Sequence, residues 1–192
     1  MKPKARTILN SLFKWDLTRF HYPEPTPPLQ IRIRYAKEDE FAAVADLWRR
    51  GISQEEGSPW KHFLRRWTPR TVERWFRHYH GKYGARTLVA DKDGKIVGVG
   101  GPIFEIKSGV GTIFAGVVVA REERRQGIGS MLLYMALREI KDMGCWYATV
   151  ETLHDITASR HLYVKFGGVE TVRGKKSKSR SKKRRSKRRE GP

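Results

Sequence analysis

Between Val117 and Leu133 the chain reads VVVAREERRQGIGSMLL. Two glycines, Gly127 and Gly129, follow a knot of charge at the point where an apolar run gives way to residues that favour helix. Glycine lets the backbone approach a ligand with no Cβ in between, and the amides of a helix's first turn have no partners inside the helix. With the positive end of the helix dipole, those amides form an anion site suited to a pyrophosphate. Arg124 and Arg125 add positive charge at its rim. Composition alone also fits an ordinary strand-to-helix connection.

The elements around this turn alternate between strand and helix. IRIRY (Ile31 to Tyr35) has the period-two pattern of a strand, and the helix after it carries an apolar stripe of Phe41, Val44, Ala45, Leu47 and Trp48. Ser58-Pro59 and Thr68-Pro69 each set a capping hydroxyl before a proline suited to a first helical turn, which predicts two short amphipathic helices. Asp93-Gly94 marks a hairpin, and a second turn falls at KSGVG before a strand TIFAGVVVA. A helix from Gly127 to Met143, a strand WYATVET and a helix from Thr157 to Phe166 complete the order. The expected fold is α/β with a mixed, mainly antiparallel sheet flanked by helices.

Arg124-x-x-Gly127-x-Gly129, after an apolar strand and opening a helix, resembles the acetyl-coenzyme A loop of the GNAT (GCN5-related) N-acetyltransferases. TASRHLYVKFGG, about thirty residues downstream, resembles that family's second cofactor element. The resemblance covers roughly Ile31 to Thr171. It implies that the amides of Gln126, Gly127, Ile128, Gly129 and Ser130 hold the pyrophosphate of acetyl-coenzyme A. It further implies that Val117, Val118 and Val119 pair with the pantetheine arm, strand-fashion. Tyr163 matches the tyrosine that gives a proton to the departing thiolate, and a phenol with a pKa of about 10 is protonated at neutral pH. Read without that context, Tyr163 is an amphipathic core aromatic.

A base for the acceptor amine varies within the family. Glu151, at the end of WYATVET, is the first candidate and Glu105 the second; His154 and Asp155 face the same cleft or cap the helix that follows. Two departures from the family pattern stand out. Arg121 occupies a place where many members have proline, and only GVETVR follows the second motif before a basic run begins. The C-terminal sheet edge is therefore shortened, or it is completed by the first twenty residues or by a second chain. An exposed edge invites pairing, so a homodimer fits.

The chain has 192 residues, one cysteine and a formal charge of +20. Residues 173–192 hold 12 of the 40 Lys/Arg and one of the 20 acidic residues, leaving 28 against 19, a net of +9, in residues 1–172. A tail of this composition has nothing to pack, and it condenses onto polyanions. It predicts non-specific contact with nucleic acid or ribosomes through residues 173–189, with a solubilising tail as the bland reading. The tail's lysines could also be the enzyme's own substrate, each acetylation removing a charge. HYPEPTPPLQ (21–30) reads as a proline-rich linker, and residues 1–20 as a basic extension forming an amphipathic helix through Ile8, Leu12, Phe13, Leu17 and Phe20. The domain proper is then 31–172. Cys145 reads as a small buried hydrophobe, no run spans a bilayer, and no secretory signal opens the chain, so a soluble cytoplasmic protein is expected.

The aromatic and basic segment Ser53 to Tyr83 is where an acceptor is usually selected in the resembled family. Its helical spacing makes most of those rings core and its arginines a solvated face. HYH (78–80) lacks a third metal ligand. The sequence thus points to direct acetyl transfer from acetyl-coenzyme A to an amine: a protein N-terminus, a lysine or a small amine. The alternative is a catalytically weak GNAT-fold binding protein tethered by its tail.

Overall fold

The computed structural model describes residues 8–26, 28–53, 67–153 and 156–175. Its strands are β1 (Ile8–Asp16), β2 (Ile31–Tyr35), β3 (Arg86–Lys92), β4 (Lys95–Lys107), β5 (Val110–Ile113), β6 (Val117–Val119), β7 (Tyr147–Leu153) and β8 (Val169–Lys175). Its helices are α1 (Phe41–Ser53), α2 (Pro69–Tyr83), α3 (Ile128–Asp142) and α4 (Thr157–Lys165). All eight strands form one sheet in the order β2-β3-β4-β5-β7-β1-β8, with β6 paired to β4 beside β5. Every pairing is antiparallel except that of β5 with β7.

Local chemistry explains the bounds of α2 and of the β3–β4 hairpin. Thr68 caps α2 by accepting from the Thr71 amide, Pro69 occupies its first turn, and Gly84 ends it in the left-handed region. Asp93 and Gly94 take φ values of 52° and 82°, the conformation a two-residue hairpin needs to follow the twist of its strands. The Ser58-Pro59 helix start lies outside the described residues.

Glycines in β4 let a helix settle on the sheet. A Cβ on Gly98 would stand 2.9 Å from Leu132 and one on Gly100 3.5 Å from it, so α3 lies close on that face. Leu132, Leu133, Ala136, Leu137 and Ile140 are fully buried there. Val118 pairs with Val99, out of phase with those glycines, and meets Gly51 of α1 on the opposite face. The core therefore has two layers, one on each side of the sheet. Cys145 is buried, and that burial raises its thiol pKa.

Residues 8–20 correct the helical reading of the N-terminal segment. Residues 8–16 form a strand inserted between β7 and β8, pairing from Asn10↔Leu153 to Asp16↔Tyr147 on one side and from Ile8↔Lys175 to Lys14↔Val169 on the other. Ser11, Phe13, Trp15 and Leu17 are all buried, an alternation with period two. A helix through Leu12, Phe13 and Leu17 would have put Trp15 outside the stripe. The segment thus completes the C-terminal part of the sheet from within, and β8 takes the edge as far as Lys175.

Candidate active site

The cleft forms where the sheet splits. β5 runs parallel to β7 from Val110↔Tyr147 to Thr112↔Thr149. Thr112 Oγ1 donates to Thr149 O at 3.2 Å, and Thr149 Oγ1 donates to Gly111 O at 3.1 Å, which fastens the last rung. Beyond it the backbone turns through Ala115 and Gly116, both at φ 68°. β6 then resumes the pairing with β4, while β7 continues past the last rung paired, among the described residues, only with β1 on its other side. Trp48 Nε1 holds the bend by donating to Ala115 O at 3.0 Å. What had read as one strand, TIFAGVVVA, is two strands separated by this bend. The result is a fork with β6 on one side and β7 on the other, continuous with a cavity of about 1450 Å3.

Val117, Val118 and Val119 line one wall of that cavity. The glycine turn closes one end. Arg125 takes φ 67° and Gly127 φ 85°, and α3 begins at Ile128. The Met131 amide donates to Gly127 O at 3.0 Å, so the amides of Ile128, Gly129 and Ser130 precede the helix's own ladder. A Cβ on Gly127 would meet nothing within 4 Å, so the turn faces open space. Arg124, Arg125, Gly127, Ile128, Gly129 and Ser130 line the cavity; Gln126 turns its amide to Glu123 at 3.2 Å instead. Arg124 folds back, its Nε donating to Val119 O at 3.1 Å, and so ties the turn to the strand. Glu123 sits among these positive groups, but Lys92 Nζ bonds both of its oxygens at 2.9 and 3.0 Å and lowers its pKa.

Tyr163 stands at the fork itself. It is 1% exposed, edge-on to Phe13 and Trp15, and its Oη accepts from the Val117 amide at 3.4 Å. Burial pushes its pKa up to about 12, against the opposing pull of the Val117 amide and the Ser159 hydroxyl. Across the fork, Glu151 is exposed and lines the same cavity. Asn10 Nδ2 donates to Glu151 Oε1 at 2.6 Å. Glu105 lies elsewhere: its Oε1 accepts from the Gly109 amide at 2.8 Å in the β4–β5 turn, outside the cavity lining. His154 and Asp155 lie outside the described residues. Among the described residues no cluster of His, Cys, Asp and Glu could hold a metal ion.

The opposite wall is aromatic. Trp75 and Tyr79 of α2 meet Phe114 at centroid distances of 4.6 and 4.5 Å, and Tyr79 and Tyr83 stack on Phe104 at 5.2 and 5.1 Å. Among the described rings of that segment the core reading holds for Phe76, which is buried, whereas Trp67, Trp75 and Tyr79 are half-buried and Tyr83 is exposed, and all four line the cavity. Asn10, Leu12, Trp48 and Ser159 are cavity residues that reading for motifs passed over. The alternation Phe13-x-Trp15-x-Leu17 could have placed the first two on a strand.

The family model of the GNAT acetyltransferases matches residues 52–168, and the chain belongs to that family. Solved structures agree on the fold. A GCN5-related N-acetyltransferase from Sphaerobacter thermophilus is 19% identical, with a TM-score of 0.63 over 88% of this chain; the chain spans about half (52%) of that protein's length. A ribosomal-protein-alanine N-acetyltransferase from Brucella melitensis is 20% identical, with a TM-score of 0.58 over 71% of this chain and 83% of the other. The PaiA N-acetyltransferase from Thermoplasma acidophilum, solved in complex with coenzyme A, is 14% identical, with a TM-score of 0.57 over 71% of this chain and 88% of that one. No curated protein matches the chain in sequence beyond chance.

Proposed function

We propose that the chain transfers an acetyl group from acetyl-coenzyme A directly to an amine bound at the fork between β6 and β7. The observation that carries this reading is the fork itself, with a glycine turn at one end and Tyr163 Oη 3.4 Å from the Val117 amide at the other. Acetyl-coenzyme A fits the residues present. Among the described residues β6 has no strand partner on the fork side, which suits its amide-bearing arm, and three first-turn amides with two arginines suit its diphosphate. Its contribution is an activated acetyl thioester.

The chain's residues then divide the proton work. Glu151 takes a proton from the acceptor nitrogen, leaving a lone pair free to attack. Tyr163 receives a hydrogen bond from the Val117 amide, so its own O–H is free to donate to the sulfur that leaves. Its raised pKa keeps that proton in place at neutral pH, and a donor that shares rather than surrenders its proton stabilises a thiolate without needing full transfer. An ammonium gives its first proton to Glu151; as the nitrogen–carbon bond forms and the carbon–sulfur bond breaks, the nitrogen's second proton passes to the released sulfur, so the coenzyme leaves as a thiol.

Calorimetric titration with acetyl-coenzyme A tests the reading. Binding by the wild type that Gly127→Glu abolishes is expected; no binding by the wild type would reduce the fork to a scaffold. The basic residues 173–189 support a further part of the proposal, contact with nucleic acid or ribosomes. Affinity for RNA that survives removal of residues 176–192 unchanged would refute that part. β8, with Val169 and Val172 exposed at the sheet edge, supports pairing with a second copy, which sedimentation at rising concentration tests.

A further inference from the structure

Asn10 enters the cleft only because the N-terminal strand is threaded between β7 and β8. Its register sets Asn10 opposite Leu153 and Leu12 opposite Glu151, so the strand runs alongside the carboxylate that faces the cavity. The amide is used on one side alone. Nδ2 donates to Glu151 Oε1 at 2.6 Å, while Oδ1 is buried and accepts no hydrogen bond among the described residues. A buried carbonyl oxygen without a donor costs roughly 1–3 kcal/mol, and such a group in a cavity wall is where a ligand's donor is missing.

The chemistry of that missing donor is constrained. Glu151 is an acceptor-only group when ionised, and Asn10 Oδ1 is an acceptor; two neighbouring acceptors ask for a group with several N–H donors and a positive charge. A primary ammonium has three donors and no acceptor, so it satisfies both oxygens with one proton to spare. An anion or a carbonyl ligand would leave Oδ1 unpaired. The far wall, with Trp75, Tyr79 and Phe114, offers flat apolar surface for the body that carries the ammonium.

We infer that Asn10 is a binding residue of the acceptor seat: Nδ2 fixes the Glu151 carboxylate, and Oδ1, together with that carboxylate, takes the ammonium of a primary amine bearing an aromatic or apolar body. The inference rests on the acetyl-transfer reading for the fate of the amine but not for its binding. Asn10 acts on the amine directly and on Glu151 as a positioning residue.

The test uses the full chain with coenzyme A present and tryptamine as the amine probe, so that no acetyl group is consumed. The side-chain amide pair of Asn10 is followed by proton–nitrogen NMR and identified as the pair missing from Asn10→Leu. Tryptamine is expected to shift that pair saturably, while indole-3-propionate, with the same body and opposite charge, leaves it unmoved. Asn10→Leu should weaken tryptamine binding about tenfold, and Asn10→Asp, which keeps an acceptor oxygen and adds charge, should bind it at least as tightly as the wild type. A purely structural role would make the nearly isosteric leucine harmless to amine binding, and that result would overturn the inference. So would a tryptamine titration that leaves the Asn10 signals in place.

The amides of Gly127 and Gly129, in the same spectra, report coenzyme binding independently. If they ignore coenzyme A while tryptamine binding still depends on Asn10, the acetyl-transfer reading fails and the amine seat stands. If they respond to coenzyme A and the amine never reaches Asn10, the seat fails alone.

Discussion

The phenol of Tyr163 and the backbone amide of Val117 meet 3.4 Å apart, and between them they close the inner end of the fork. The same approach leaves no space at the bend: a Cβ on Gly116 would lie 2.7 Å from Tyr163 Oη. A glycine at the bend and a tyrosine on α4 are therefore one feature, the first making room for the second.

Replacement of Tyr163 by phenylalanine should separate chemistry from packing. The ring keeps its edge contacts with Phe13 and Trp15, and the lost bond is long, so stability should change by less than about 1 kcal/mol. Turnover should fall about a hundredfold, the usual scale for a lost proton donor, with the dissociation constant for acetyl-coenzyme A nearly unchanged. Because burial lifts the phenol's pKa to about 12, the wild-type rate should show no alkaline decline from this group up to about pH 10. A tyrosine-dependent loss centred well below that pH, absent from Tyr163→Phe, would contradict its role.

Gly127 and Gly129 should answer differently to alanine. At Gly127 the backbone sits at φ 85°, a region that costs an L-residue roughly 1–2 kcal/mol, although the added methyl meets open space. At Gly129 the methyl would rest 3.5 Å from Leu162 and 3.7 Å from Val119, ordinary contact without backbone strain. Thermal denaturation should place Gly127→Ala about 2–5 °C below the wild type and Gly129→Ala within about 1–2 °C of it. Equal losses at both positions would remove the conformational argument for the turn.

The turn and Tyr163 were legible in the sequence because their signals are local. A glycine pair after an apolar strand, and a tyrosine in a short helix ending in two glycines, announce themselves within a dozen residues. Asn10 could not be found that way. Its part in the site depends on strand pairings with Leu153 and Arg173, each more than 140 residues away in sequence, and on reading Phe13, Trp15 and Leu17 with period two instead of a looser helical stripe. The division of TIFAGVVVA is likewise a tertiary event. Ala115 takes a positive φ that nothing in its side chain favours, and it is held there by the Trp48 indole from another element.

That long-range strand makes a strong prediction about stability. Phe13 is fully buried and Trp15 is 2% exposed, with its indole nitrogen donating to Phe166 O at 3.0 Å. Phe13→Ala should destabilise the domain by about 3–5 kcal/mol, measured by urea denaturation, as a large aromatic truncated in a close-packed core does. A segment that merely lay on the surface as a helix would lose far less. The same variant should disturb Tyr163, which shares its ring contacts, so reduced turnover is expected wherever the protein remains folded.

An acid-sensitive cluster lies at the opposite sheet edge. Arg34 on β2 bonds Glu40 through Nη1 and Nη2 at 2.7 and 2.6 Å, and Asp91 on β3 through Nε and Nη2 at 2.9 and 2.7 Å. The guanidinium draws the Glu40 carboxyl down to about 2 and lowers that of Asp91 as well. A carboxyl whose folded pKa lies below its unfolded value of about 4 contributes stability that is complete above that pH and disappears as the pH falls through the folded value. The window for this cluster is therefore roughly pH 4 down to pH 2. Arg34→Met should cost about 2 kcal/mol at pH 6, a scale set by hydrogen bonds to charged groups, and progressively less toward pH 2 as the carboxylates protonate in both proteins. Urea denaturation of the two proteins at pH 6, 4 and 2.5 measures the difference directly. A gap that stayed constant across that range would mean that Arg34 stabilises the edge through its packing and not through its charge.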